Sequence, residues 1–247
     1  MPSNFWFPGR WVGGGSLMLA PLLLLLAVVL RLPFFFSSIP PGRLEALKAQ
    51  GTFFPLELAA VQVHPGLMGA SYGSFLAGNI LMWPAIATIA RLIGAKKPVW
   101  ALWGGALTIL GLFERTFHAG VDHFAFQLFH VQDLQLATKA VADSYVAVSY
   151  GPFDLIGALG FVVLFGWPIL AIGAYRSGTL GLIRSVGLSS MAALMAGVLK
   201  GSTTMSIVAT AGVCVALMPL GLQILLGRVE PSRRDDIGNY VAGSVMT

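Results

Sequence analysis

Apolar residues fill this chain in long blocks, separated by shorter polar stretches. A helix that crosses a bilayer needs about 20 consecutive, mostly apolar residues. Six blocks meet that need: about Ser16–Phe36, Leu67–Ile93, Val99–Phe117, Phe153–Tyr175, Leu180–Leu199 and Thr204–Leu226. The expected fold is therefore all-α. It is a polytopic transmembrane bundle of about six membrane-spanning helices, forming a single integral-membrane domain over 1–247 with a short polar tail at 228–247. The first block also has the length of a cleaved signal peptide. Its leader carries one Arg and no clean small-x-small site follows, so a retained helix is expected.

Two connections are long. The first, about 38–65, holds Pro40, Pro41, two short apolar runs and Glu57. The second, about 118–152, repeats Leu134, Ala137, Val141, Tyr145 and Val148 at three- and four-residue steps, with Asp133, Lys139 and Asp143 between them. That period predicts a helix lying on the membrane surface or capping the bundle. A seventh span within 117–150 would bury three His and three Asp, so none is expected there.

Small residues recur every four positions in two blocks: Gly66, Ala70, Ser74 and Gly78, then Gly181, Ser185, Ser189, Ala193, Gly197 and Gly201. Lipid gives little hydrophobic drive between helices, so such stripes predict close helix packing within the bundle or, alternatively, a homo- or hetero-oligomer face or a groove for a flat ligand. Pro84, Pro168 and Pro219 predict kinks that neighbouring helices tolerate. Trp100 and Trp103 suit the membrane interface, while Trp83 and Trp167, each just before a kinking proline, suit packing.

Composition strengthens this picture. Of 247 residues, 56% are hydrophobic and only 10% charged, against roughly 25% charged in an average soluble domain. An ordinary soluble enzyme, a disordered chain and a nucleic-acid-binding domain are excluded; the solvent for this surface is the lipid bilayer. The net charge of +5 reports topology. With the N-terminus cytoplasmic, nine basic residues fall inside (Arg10, Arg91, Lys96, Lys97, Arg176, Arg184, Arg228, Arg233, Arg234) and four outside (Arg43, Lys48, Lys139, Lys200). Arg31 and Arg115 lie near outer helix ends. That bias predicts both termini cytoplasmic in a multi-pass cell-membrane protein, with the bacterial inner membrane as its expected home. Cys214 is the only cysteine, which removes internal disulfides and CxxC chemistry.

In this topology all four histidines lie on the outer side, with seven of the ten acids: Glu45, Glu57, Glu114, Asp122, Asp133, Asp143 and Asp154. The densest stretch runs from Glu114 to His123. If the third helix continues outward, Glu114, His118 and Asp122 share a face at i, i+4 and i+8, while His123 and His130 mark another. Gly120 threatens that face, since it would end a helix readily. Carboxylate and imidazole four residues apart form an acid–base pair or hold a divalent metal. The candidate catalytic residues are Glu114, His118, Asp122 and His123, and the candidate metal ligands are His64, His118 and His123. A haem held by His64 and a histidine near the third helix is a further cofactor alternative. Arg31 would either reach for headgroups or turn inward to a carboxylate such as Glu114.

Phe165-Gly166-Trp167-Pro168 through Tyr175-Arg176-Ser177-Gly178 resembles a helix–Arg-Ser-Gly–helix hairpin of bacterial membrane proteins, a resemblance that implies no activity. The functional expectation is a His/carboxylate site in the outer leaflet for a lipophilic small molecule, metal-assisted or acid–base. The alternatives are a non-catalytic membrane subunit, immunity or assembly factor, and a transporter of a hydrophobic compound.

Overall fold

A computed structural model describes residues 7–37, 40–48, 54–131, 161–195 and 204–229, with 133, 135–137, 139–140 and 143 between them. The helices are α1 (Arg10–Ser37), α2 (Pro41–Lys48), α3 (Phe54–Val63), α4 (Pro65–Gly94), α5 (Pro98–Val131), α6 (Val162–Arg176), α7 (Leu182–Met195) and α8 (Thr204–Leu225). Among the described residues there is no strand, and the class is all-α. Most of the expected cap (Leu134, Val141, Tyr145, Val148), the polar tail from Glu230, and Gly197, Lys200 and Gly201 lie outside the described residues.

Among the described residues, three helices are long and apolar enough to cross a membrane: α1 over Arg10–Arg31, α4 and α8. That is fewer than the six blocks of the sequence. The 34 residues of α5 are ample in length, but Glu114 and Arg115 interrupt its apolar run. α6 and α7 are described over 15 and 14 residues, each bordering a stretch outside the described residues.

These six longer helices close into a ring. α1 packs on α4 and α8, α4 on α5, α5 on α6, α6 on α7, and α7 on α8. Neighbours run antiparallel. Ser71 of α4 donates to the Ala27 carbonyl of α1, and Ser190 of α7 donates to the Ala209 carbonyl of α8. The first and last helices meet through glycine: a Cβ on Gly221 would lie 2.7 Å from the Gly14 carbonyl oxygen. Arg10 donates from Nε to the Leu225 carbonyl at 2.9 Å, so the start of α1 covers an orphan acceptor at the end of α8. Met82, Ile86, Trp167, Leu188, Met191 and Leu217 fill the inside of the ring. Its outside is apolar too, with Leu22, Ile80, Leu102, Phe165, Ile183 and Val215 exposed.

The turn 95–97 between α4 and α5, the turn 177–181 between α6 and α7, and the α1 start beside the α8 end share one end of the ring. Arg10, Arg91, Lys96, Lys97, Arg176, Arg184 and Arg228 gather there, and among the described residues no acid does. Arg176 sits over the Trp100 ring at 5.2 Å, and Gly178 makes its turn at φ +74°, a left-handed conformation that favours glycine. At the opposite end α3 lays Leu58, Ala60 and Val61 against Met68, Tyr72 and Phe126 in a second small core.

The closest seams only partly follow the four-residue stripes. Gly104 and Gly111 of α5 face Leu170 and Val163 of α6, and Gly166 and Gly173 of α6 face Thr108 and Trp100. Both glycine pairs are seven residues apart, the spacing that keeps a seam in register between antiparallel helices. Between α7 and α8 the crossing point is Gly187 on Gly212, with 2.6 Å from a Gly187 Cβ to the Gly212 carbonyl oxygen. Of the second-block stripe, Gly78 meets Leu24 of α1, but Gly66 is exposed, and a Cβ there would meet nothing within 4 Å.

Candidate functional site

α5 runs unbroken through Gly120 to Val131, fourteen residues past the expected end at Phe117. A helical glycine costs only about 1 kcal/mol relative to alanine, too little to stop a helix packed on both sides. The shared face of Glu114, His118 and Asp122 therefore forms. Glu114 is 3% exposed and Asp122 8%. His118 Nε2 lies 2.6 Å from Glu114 Oε1, with the imidazole side chain 12% exposed. Arg115 Nε approaches the other carboxylate oxygen, Oε2, at 3.3 Å. The His118 ring also meets the Phe117 ring, with 5.6 Å between centroids. A carboxylate that fixes one ring nitrogen sets the tautomer and orientation of the imidazole.

The other candidates separate. His123 follows His118 by five residues, which turns it about 140° around the helix, and it is exposed. His64 is exposed at the break between α3 and α4. Two ring contacts set the levels of α4 and α5: Tyr72 on Phe126 at 4.6 Å and Trp83 on Phe113 at 4.0 Å. They put Asn79 level with His118, and His64 a further fifteen residues, about 22 Å, along the axis. The expected metal set of His64, His118 and His123 is thus not brought together, nor is a haem pair of His64 with His118. Among the described residues no three His, Cys, Asp or Glu side chains come close enough to hold a metal ion. The side chains of Glu57 and His130, and all of Asp154, lie outside the described residues.

Two participants come from other helices. Arg31 of α1 turns inward and is 4% exposed. Its Nε donates to Ser71 Oγ at 3.2 Å, and its guanidinium lies 4.3 Å from the centre of the Tyr72 ring. The sequence raises the inward pose but not these partners. Asn79 of α4 is absent from the residues the sequence singles out. It is fully buried, and neither Oδ1 nor Nδ2 has a hydrogen-bond partner among the described residues. A signal for it exists, as a lone carboxamide in the middle of an apolar block.

Arg31, Arg115, Glu114 and Asp122 bring two cations and two anions into the half of the ring opposite the basic turns. Glu114 touches His118 and Arg115 in a buried polar cluster, with Asp122 on the same face of α5 and Arg31 held against Ser71 and Tyr72 of α4, inside an otherwise apolar bundle. Such a cluster can orient a polar group and move a proton to or from it through the carboxylate-held imidazole. No known protein family matches the chain, and no curated protein or solved structure is detectably similar to it.

Proposed function

We propose that this is a six-span membrane protein, both termini cytoplasmic, that holds a lipophilic small molecule in the outer half of its helix ring. Glu114 orients His118, and His118 is the proton-transfer group facing the bound molecule. The carrying observation is the Glu114–His118 contact of 2.6 Å at a carboxylate only 3% exposed. Ionisable groups held at membrane depth are costly and mark functional sites. A ligand reaching them through an apolar shell must itself be largely apolar.

The test is chemical. The protein is purified in mild detergent, extracted with organic solvent, and the extract compared by mass spectrometry with bulk lipid. A stoichiometric non-bulk molecule is expected, retained by the wild type and lost from His118→Leu and Glu114→Leu. An extract identical to bulk lipid, or equal retention by both variants, would overturn the reading.

One observation favours a second, non-catalytic reading. Gly66, Gly69 and Gly73 lie exposed along α4, and a Cβ added at any of them would meet nothing within 4 Å. They form a smooth track on which a partner's helix could pack closely. A subunit that co-purifies with the wild type and is lost from Gly69→Leu would support it.

A further inference from the structure

We infer that the bound molecule presents a neutral hydroxyl head, and that the Asn79 carboxamide is its anchor. This rests on the proposed site and specifies its ligand. Asn79 is fully buried, with its donor and its acceptor both unpaired among the described residues. A buried polar group without a partner loses its hydration and gains nothing in return. Asn79 therefore offers an NH2 donor and a carbonyl acceptor to whatever binds beside it.

The position of Asn79 directs that offer toward the cluster. On α4 it lies seven residues after Tyr72 and four before Trp83, within about 40° of both around the helix. Those two rings touch Phe126 and Phe113 of α5. Asn79 thus lies on the same side of α4, between two aromatic contacts, at the level of His118. Trp83 Nε1, one turn away, is likewise buried without a hydrogen-bond partner among the described residues. The side chains of this stretch of α4 offer a carboxamide oxygen as acceptor and two kinds of N–H as donor.

Complementarity decides the head group. A carboxylate or phosphate head only accepts and would leave Asn79 Oδ1 unmet, and an ammonium head only donates and would leave Asn79 Nδ2 and Trp83 Nε1 unmet. A hydroxyl group donates once to Asn79 Oδ1 and accepts from Asn79 Nδ2 or Trp83 Nε1. A ketone or ether would leave Oδ1 unmet. The ligand class is a long-chain alcohol, with its chain lying among the apolar side chains of the ring.

Three photoreactive probes test this on the full chain in lipid nanodiscs. They share one sixteen-carbon chain and one diazirine, and end in a hydroxyl, a carboxylate or an ammonium group. The hydroxyl probe is expected to label peptides of α4 and α5, with unlabelled hexadecanol competing and hexadecanoate not. Asn79→Leu is expected to lower that labelling about ten-fold, as removal of the anchoring hydrogen bonds implies. Should Asn79→Leu fail to fold, the competition pattern on the wild type decides the same question. Labelling led by the carboxylate or ammonium probe, or unchanged labelling of folded Asn79→Leu, would overturn the inference and leave the site standing. Labelling of α4 and α5 by none of the three would overturn both.

Discussion

Arg31 shows how a charge is kept inside an apolar bundle. Its planar guanidinium stacks on Tyr72 while Nε reaches Ser71, and Ser71 in turn donates to the Ala27 carbonyl of the helix that carries Arg31. An ammonium group cannot present a flat face and a fork together. Arg31→Lys is expected to keep the charge but lose the stack, lowering stability by about 1–2 kcal/mol, read as a fall in thermal midpoint in detergent. An unchanged midpoint would mean that the stack contributes nothing. Glu114, His118 and Asp122 are legible in the sequence because one helix carries all three, and helical period alone aligns them. Asn79 shows there only as a lone carboxamide in an apolar block, and the Arg31–Tyr72 stack not at all. Their significance depends on how far α4 slides along α1 and α5, and no local pattern sets that distance.

At the scale of elements, the seams make a sharper test. A Cβ on Gly111 would lie 1.8 Å from Val163 Cγ2, whereas a Cβ on Gly120 of the same helix would meet nothing within 4 Å. The same substitution should then have opposite signs. Gly111→Ala forces α5 and α6 apart and is expected to cost about 1–3 kcal/mol. Gly120→Ala removes backbone freedom from the unfolded chain and is expected to add about 0.5–1 kcal/mol. Thermal unfolding of the two variants side by side decides it; a shift of the same sign in both would contradict the packing described. The stripes read from sequence at four-residue steps identify helices rich in small residues, yet the α5–α6 seam is built on Gly104, Gly111, Gly166 and Gly173 instead. A four-residue step marks a face on an isolated helix. Which face is used depends on the neighbours, and the ring sets those.

For the whole molecule, the decisive property is the sorting of charge between the two ends. The turn between α4 and α5 lies among seven described cations, and α5 starts there at Pro98. At 1.5 Å per residue Glu114 is about 24 Å from that start and His118 about 30 Å. A hydrocarbon core about 30 Å thick would then hold Glu114 just inside its far boundary and His118 at it. The remaining turns of α5, with His123 exposed, extend past it. The proposed topology turns the basic end toward the cytoplasm, and cysteine accessibility can establish whether it does. In a Cys214→Ala background, His64→Cys and Gln135→Cys probe one end, and Ala95→Cys and Leu226→Cys the other; all four positions are exposed. A membrane-impermeant maleimide added to intact cells is expected to label positions 64 and 135 only, and all four once the membrane is opened. Labelling of positions 95 and 226 in intact cells would invert the molecule. The buried cluster would then belong to the cytoplasmic leaflet, and its ligand would have to come from that side.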